Sequence, residues 1–290
     1  MATKIFLRNF KAALFLGAAF FCASTLAADK PAKPTSLVDR AIKEAESLSL
    51  VQDRMMASQV LLRNIRKLSK AEAKPLKEKL MTLSRYFYTD RGFQAYLSGK
   101  DFFEKKKYPD AVDKLTEADD LEKSNVDVLH LLTLSNLKLQ KYEAAETTAA
   151  RAAQVCPVDL ELVRDQLATF VGGEKWVEAQ KIVDLLTTDF EDGSAQTLKD
   201  RGLVTLKLEA KGEDPDLAKE EARRLFEKAH QRDPKFPEAL YWLASLSSPA
   251  ESVKLLTKYL DLCKNKTSLH YDRESMLCAK EAEVQKKITH

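Results

Sequence analysis

The sequence predicts an all-α fold of stacked helical hairpins, and three observations support that prediction. An aromatic residue followed three positions later by alanine recurs every 34 residues, at Tyr108 and Ala111, Tyr142 and Ala145, and Trp176 and Ala179. Apolar residues recur at helical spacing along most of the chain, and no segment alternates like a strand between turns. Glycine is scarce, at 8 of 290 residues. A repeat period of about 20 to 50 residues is typical of solenoids built from small helical units.

Residues 1–28 have the features of a secretory signal peptide. A basic start is followed by an apolar run over 12–21 and by small residues before Asp29. The run is too short for a permanent membrane anchor, so cleavage after Ala27 or Ala28 is expected to leave no integral membrane segment. Residues 29–35 contain two prolines and predict a flexible tether. We therefore expect an exported protein, periplasmic in the first place, with secretion as the alternative.

Three further regions follow the tether. Residues 36–91 predict an N-terminal helical region of amphipathic helices that lack the repeat pattern, as divergent or capping repeats do. The repeated pattern occupies residues 92–247. Residues 248–290 predict C-terminal capping helices that cover the end of the stack. An insertion with Gly212 and Pro215 lengthens the connection within the fourth repeat.

The repeats resemble the tetratricopeptide repeat (TPR) family, in which each unit pairs two helices over 34 positions. In the first unit, Gly99 takes the small position of the first helix, and Ala111 takes that of the second. The second helix of the fourth unit matches the family signature at every step, through Ala222, Phe226, Ala229 and Pro234. Asn136 departs from the pattern, and Gly172 and Gly173 are expected to form the turn of the third unit. The resemblance implies a right-handed superhelical solenoid of TPR-like hairpins.

Cysteine content agrees with an oxidising compartment. Cys156, Cys263 and Cys278 remain after signal cleavage, so one pair and one free thiol is the simplest arrangement. Cys263 and Cys278 lie in consecutive predicted helices. A disulfide between them would close a loop of about 15 residues and stabilise the fold by roughly 3 kcal/mol.

Charge is balanced overall but segregated along the chain. The signal contains three of the 47 basic residues and none of the 44 acidic ones, so the remaining chain is neutral. It therefore lacks the basic excess that nucleic-acid binding requires. Residues 61–107 carry 13 basic and 5 acidic side chains, whereas 108–200 carry 9 and 19. Two interpretations stay open, a drift in the charge of solvated helix faces or an interaction face that could meet an anionic surface.

No motif predicts catalysis. The four histidines, at 130, 230, 270 and 290, are scattered without a zinc-binding spacing, and the chain lacks a glycine-rich phosphate loop, a dinucleotide motif and a nucleophile elbow. We therefore predict that the protein is not an enzyme and that it binds no cofactor and no metal.

The resemblance also implies where a partner would bind. The first helices of successive TPR units line a concave groove that holds a peptide or a helix of another protein. By helix phase, the groove would include Phe93, Tyr96, Lys100, Phe103, Asp127, His130, Leu134 and Lys138. For the apolar members, packing inside the fold is the alternative. These features predict a noncatalytic interaction adaptor or scaffold of the cell envelope; the alternative is a self-associating, homo-oligomeric component of an envelope assembly.

Overall fold

The computed structural model describes residues 36–209, 214–264, 278 and 280–289, and the regular structure in these ranges is entirely helical. The all-α prediction is confirmed. The signal peptide, the tether and the beginning of the predicted insertion lie outside the described residues. In chain order the helices are α1 (Leu37–Leu50), α2 (Arg54–Ile65), α3 (Lys74–Arg85), α4 (Asp90–Glu104), α5 (Tyr108–Leu121), α6 (Val126–Lys138), α7 (Tyr142–Val155), α8 (Leu160–Gly172), α9 (Trp176–Thr188), α10 (Ala195–Glu209), α11 (Pro215–Arg232), α12 (Pro237–Ser245), α13 (Pro249–Lys264) and α14 (Glu281–Thr289).

Helices α4 to α13 form five consecutive hairpins, each with a first and a second helix. Helix α4 packs against α5, α6 against α7, and so on to α12 and α13, and each second helix also contacts the next first helix. Side-chain caps begin several of the first helices: Thr89 accepts the Gly92 amide for α4, and Asn125 accepts the Asp127 amide for α6. The chain is therefore a solenoid of helical hairpins.

The turn inside each of the first three hairpins follows the 34-residue period. Lys106, Gln140 and Glu174 occupy equivalent positions and have left-handed backbone conformations, with φ of 60°, 57° and 57°. A lysine follows each of them at the N-cap of the second helix. Left-handed residues at such turns are usually glycine, so these three positions accept a small steric cost to keep the hairpin angle.

The third turn confirms the prediction for Gly173, which lies in the turn, and corrects it for Gly172, which is the last residue of α8. Gly173 has φ of −82°, and the left-handed residue is Glu174. Gly172 serves packing instead, because a Cβ atom there would lie 2.6 Å from the ring of Tyr142 in the preceding hairpin. The small residue is needed for contact between hairpins rather than for the backbone conformation.

Small residues mark the helix crossings, as the period predicts. A Cβ atom on Gly99 would lie 2.6 Å from the Leu115 side chain, and one on Gly202 would lie 2.7 Å from the Phe226 ring. The repeat alanines are buried, among them Ala111, Ala118, Ala145, Ala149, Ala152, Ala179, Ala222 and Ala229. Because backbones approach closely at these points, added volume has no space to occupy.

The N-terminal helices pack beside the stack. The apolar faces of α1, α2 and α3 form one cluster with Val126 and Leu129 of α6, with Ala152 and Val155 of α7, and with Leu162 of α8. Helix α2 contacts α7, and α3 contacts α6. The amphipathic faces of these helices are therefore covered by the side of the second and third hairpins. A unit stacked in front of α4 would have had different neighbours.

The C-terminal end carries a disulfide. Cys263 on α13 is bonded to Cys278, with a Cα–Cα distance of 5.7 Å, while Cys156 is a buried free thiol. Burial raises the pKa of the Cys156 thiol to about 11. Helix α14 packs on α13, and Val284 and Ile288 join the apolar cluster of the last hairpin. Residues 268–277 of the predicted last helix lie outside the described residues.

Candidate partner-binding face

The first helices of the hairpins form one face of the stack. Helices α4 and α6, α6 and α8, and α10 and α12 contact each other directly. Among the described residues, the second helices of neighbouring hairpins make no comparable contacts. The stack is therefore tighter on the side of the first helices, and we call the surface formed by α4, α6, α8 and α10 the inner face.

Four of the residues predicted to bind a partner lie on α4. Phe93 is 40% exposed, and Lys100 is exposed and pairs weakly with Glu104 at 4.0 Å. Tyr96 and Phe103 are half-buried and pack against leucines of α6. Helix α4 therefore presents the exposed parts of Phe93 and Lys100, with smaller exposed parts of Tyr96 and Phe103.

The other four predicted residues lie on α6, and one of them is corrected. Leu134 is only 4% exposed and belongs to the core cluster with Leu131 and Leu137, because it faces α4 and not solvent. It supports the inner face from beneath and has no surface for a partner. Asp127, His130 and Lys138 are half-buried. The structure thus brings seven of the eight predicted residues to the surface of two neighbouring helices.

Ion pairs join neighbouring elements across this face. Arg85, at the end of α3, lies 3.1 Å from Asp127 through its Nε and also pairs with Asp159 before α8. His130 Nδ1 lies 2.5 Å from Oδ2 of Asp165 on α8. The N-terminal region therefore contributes a cation to the inner face of the second and third hairpins, which gives its lateral position a role at the candidate site.

The same arrangement continues from α8 to α10. Arg164 Nη2 lies 2.9 Å from Oδ2 of Asp192 and 3.1 Å from the Ser194 hydroxyl, and its Nη1 lies 2.5 Å from Glu161. These contacts link the start of α8 to the connection before α10. Most of the guanidinium donors on this stretch are thus already used inside the fold.

Sequence reasoning missed several of these residues, although one signal could have found two of them. Glu161 and Arg164 follow Asp127 and His130 by 34 positions, so extending the helix-phase rule by one repeat would have named them. Arg85 has no such signal, because it lies in the region without repeats.

Charge changes along the inner face. Burial, together with the negative charges of Asp127 and Glu104, raises the pKa of Tyr96 to about 12. Burial also raises the pKa of Asp127 above its usual range. At the other end of the same helices, burial and the positive charge of Lys106 lower the pKa of Lys138 to about 8. The carboxylates that act on Tyr96 therefore lie at the start of α6 and at the end of α4, and Lys106 acts on Lys138 at the end of α6.

Three aromatic rings lie together near the start of α4. The ring centroid of Phe87 is 5.1 Å from that of Phe93 and 5.1 Å from that of Tyr96. Phe93 and Tyr96 are 6.4 Å apart with an angle of 23° between their planes. Because Phe93 keeps 40% of its surface exposed, this aromatic cluster (Phe87, Phe93, Tyr96) is the main apolar feature that α4 presents.

The oppositely charged segments of the chain pair with each other. Lys70 lies 2.6 Å from Glu191, Arg91 lies 3.7 Å from Glu117, and Arg85 meets Asp127. Part of the basic excess over 61–107 is therefore directed toward the acidic stretch 108–200 inside the fold. This is an arrangement that neither interpretation of the charge pattern included.

Comparisons with known proteins gave matches to solved structures. No family model and no curated protein matches the chain. Among solved structures, the chain is similar to MamA of Desulfovibrio magneticus, at 16% identity and a TM-score of 0.48 over 62% of this chain and 99% of that chain. It is similar to PilF of Pseudomonas aeruginosa, at 15% and 0.47 over 69% and 88%. It is also similar to a tetratricopeptide repeat protein of Parabacteroides merdae, at 14% and 0.45 over 87% and 99%.

Two further properties concern the described ranges only. No three His, Cys, Asp or Glu side chains come together there in a group that could hold a metal ion. No helix in the same ranges combines the length and the apolar character needed to cross a membrane.

Proposed function

We propose that the protein is a noncatalytic interaction adaptor or scaffold of the cell envelope that binds a segment of another protein on its inner face. The observation that carries this proposal is the exposed aromatic cluster on a face whose charged groups are largely paired with one another. Binding energy at protein interfaces is concentrated in a few aromatic or apolar anchors surrounded by polar groups. The inner face has this composition.

Paired charges make the face suitable for an extended or helical segment. The side chains of Arg85, Asp127, His130 and Arg164 are held by partners in neighbouring elements, so little side-chain entropy remains to be lost when a ligand binds. A preorganised polar surface with an adjoining apolar anchor is the usual setting for peptide recognition by a helical groove.

The predicted signal peptide and the disulfide support the envelope part of the proposal. The first 28 residues have the composition of a cleavable signal, and the Cys263–Cys278 disulfide suits an oxidising compartment. We place the protein in the periplasm, with secretion as the alternative.

Site-specific crosslinking tests the binding face. A photoreactive residue in place of Leu97, beside the aromatic cluster, is expected to capture a discrete envelope protein, and adding Tyr96→Ser and Lys100→Ala should abolish that adduct. The matched control carries the photoreactive residue in place of Val253, which is similarly exposed on the second helix α13. Adducts of equal strength from both positions, or an adduct that survives the two substitutions, would remove the inner face from the proposal.

Self-association is the second candidate function, and one observation favours it. Leu50 and Val51 at the end of α1 are 85% and 72% exposed, and Leu50 and Tyr86 border a cavity of about 480 Å³ with Ser49 and Leu83. Apolar groups this exposed are common at interfaces between protein copies. Light scattering at high micromolar concentration should then detect an oligomer that Leu50→Asp with Val51→Asp dissociates. A monomer at all concentrations would exclude this candidate.

A further inference from the structure

The aromatic cluster lies beside Asp127, the second residue of α6. Phe87 and Tyr96 pack against the apolar cluster that contains Val128, the residue after Asp127. Arg85 lies 3.1 Å from Asp127 but is shared with Asp159, so two carboxylates face one guanidinium. The Asp127 side chain keeps 34% of its surface exposed.

Aromatic faces and carboxylates share one preferred ligand. The face of an aromatic ring is the negative end of its quadrupole, so a cation within about 6 Å of the ring centre is attracted to it. This chain already contains such contacts: the guanidinium of Arg54 lies 4.5 Å from the centre of the Tyr88 ring, and Nζ of Lys207 lies 6.0 Å from that of Trp176. Phe93 and Tyr96 have no such contact with a described side chain.

We propose that the corner formed by Phe93, Tyr96 and Asp127 binds a basic side chain of the partner segment, with the cation over the exposed Phe93 ring and directed toward the Asp127 carboxylate. This inference rests on the proposed function, because it takes the ligand to be part of a polypeptide. Arginine fits the corner better than lysine, because its planar guanidinium both stacks on a ring and donates to a carboxylate.

Titration with single amino-acid derivatives tests the corner without knowledge of the partner. N-acetyl-arginine amide is added to the isotopically labelled full-length protein, and nuclear magnetic resonance follows the amides of residues 93–97 and the ligand protons. The expected result is saturable shifts at those amides, with the ligand side-chain protons moved upfield by the Phe93 ring current. N-acetyl-glutamine amide and N-acetyl-glutamate amide should bind more weakly or not at all.

Three variants separate the corner from general charge effects. Phe93→Leu removes the ring from an exposed position and should weaken arginine binding about two- to fivefold, the size expected for an exposed cation–π contact. Asp127→Asn should also weaken it and should reduce its dependence on salt. Asp101→Asn is the control, because it removes an exposed carboxylate of α4, the helix of Phe93, that already pairs with Lys105 at 2.7 Å. The control should bind like the original protein.

The outcomes distinguish this inference from the proposed function. Equal binding of the arginine, glutamine and glutamate derivatives, or wild-type affinity in Phe93→Leu, would overturn the cation corner. If the arginine derivative binds as expected while the crosslinking from position 97 captures nothing, the corner stands and the adaptor proposal fails. If a partner is captured equally well by Phe93→Leu and Asp127→Asn proteins, the adaptor proposal stands and the basic anchor is wrong.

Discussion

The two ends of the described fold are attached to the stack in different ways. At the N-terminal end, α1 to α3 lie against the side of the second and third hairpins through an apolar cluster, and a buried ion pair joins α2 to Glu122 at the end of α5. At the C-terminal end, the nine-residue helix α14 lies on the last hairpin beside a disulfide. The N-terminal attachment is noncovalent, whereas the C-terminal attachment includes a covalent bond.

The N-terminal attachment centres on Arg54 and Glu122, both almost fully buried and 3.1 Å apart. Glu122 also accepts the backbone amides of Tyr88 and Thr89 and the Thr89 hydroxyl. Arg54 donates to the carbonyl oxygens of Tyr86 and Glu122. A buried charge pair is favourable only when further hydrogen bonds satisfy both partners. The Glu122 carboxylate and the two terminal nitrogens of Arg54 meet that condition, whereas the buried Nε of Arg54 has no hydrogen-bond partner among the described residues.

Hydrogen bonds between described residues accompany the disulfide at the C-terminal end. The Cys278 amide donates to Glu238 at 2.7 Å, the Lys280 amide donates to the Tyr259 hydroxyl, and the Tyr241 hydroxyl donates to Glu283. A helix of nine residues is too short to be stable alone in water, so it depends on these contacts and on the covalent link.

The two ends are attached differently because they have different roles in the fold. The N-terminal helices bring Arg85 to the inner face, so their register relative to α6 and α8 must be fixed within the length of a hydrogen bond. Hydrogen bonds and ion pairs of buried charged groups are directional, so they can fix the register of these helices. Helix α14 only covers the apolar end of the last hairpin, and a covalent tether suffices to keep a cover in place.

The largest effect is expected from breaking the buried ion pair. Arg54→Met leaves Glu122 buried without its charged partner, which should lower the free energy of unfolding by about 3 to 5 kcal/mol in chemical denaturation. The control is Arg63→Met, because Arg63 pairs with Glu44 at 3.8 Å with both side chains more than half exposed. We expect the control to change stability by less than about 1 kcal/mol. Equal effects of the two substitutions would refute the comparison between the ends.

Removing the disulfide should have the next largest effect and should act locally. Reduction, or Cys263→Ser with Cys278→Ser, is expected to cost about 3 kcal/mol for a loop of this length and to remove hydrogen-exchange protection from α14 before the hairpins lose theirs. Cys156→Ala is the control and should keep the sensitivity to reductant, because Cys156 is not in the bond. Three reactive thiols in the denatured, nonreduced protein would contradict the pairing.

A substitution in the middle of the stack gives a reference for the stability effects expected at the two ends. Ala145→Leu should destabilise the protein by about 1 to 3 kcal/mol through overpacking, because Ala145 is completely buried at a helix crossing. Ala144→Leu, one position earlier on the same helix, is the matched control, because Ala144 is exposed. The difference between the thermal unfolding midpoints of the two variants measures the effect of overpacking at the helix crossing. Equal midpoints would refute the placement of Ala145 at that crossing.

How much of this could be predicted from sequence depends on the repeat. The period identified the crossing alanines, and helix phase placed Phe93 and Asp127 on one face, because stacked units repeat their environments. Arg54 lies in the region without the period and its partner lies 68 positions away, so no spacing could indicate this pair. The amphipathic pattern of α1 to α3 predicted that their apolar faces would be buried. That they are buried against α6 and α7 depends on a three-dimensional fit that no sequence pattern encodes.

The smallest effect is expected from a single contact of α14. The Tyr241 hydroxyl lies 3.1 Å from Glu283, and Nζ of Lys287 lies 5.7 Å from the centre of the same ring. Tyr241→Phe keeps the ring and removes only the hydrogen bond, so we expect a loss of about 1 kcal/mol or less. Because the disulfide still holds the segment near α13, that loss should appear as faster hydrogen exchange in 281–289 and leave the global unfolding midpoint unchanged. A drop in the global midpoint would mean that α14 unfolds together with the hairpins, and the C-terminal end would then resemble the N-terminal one.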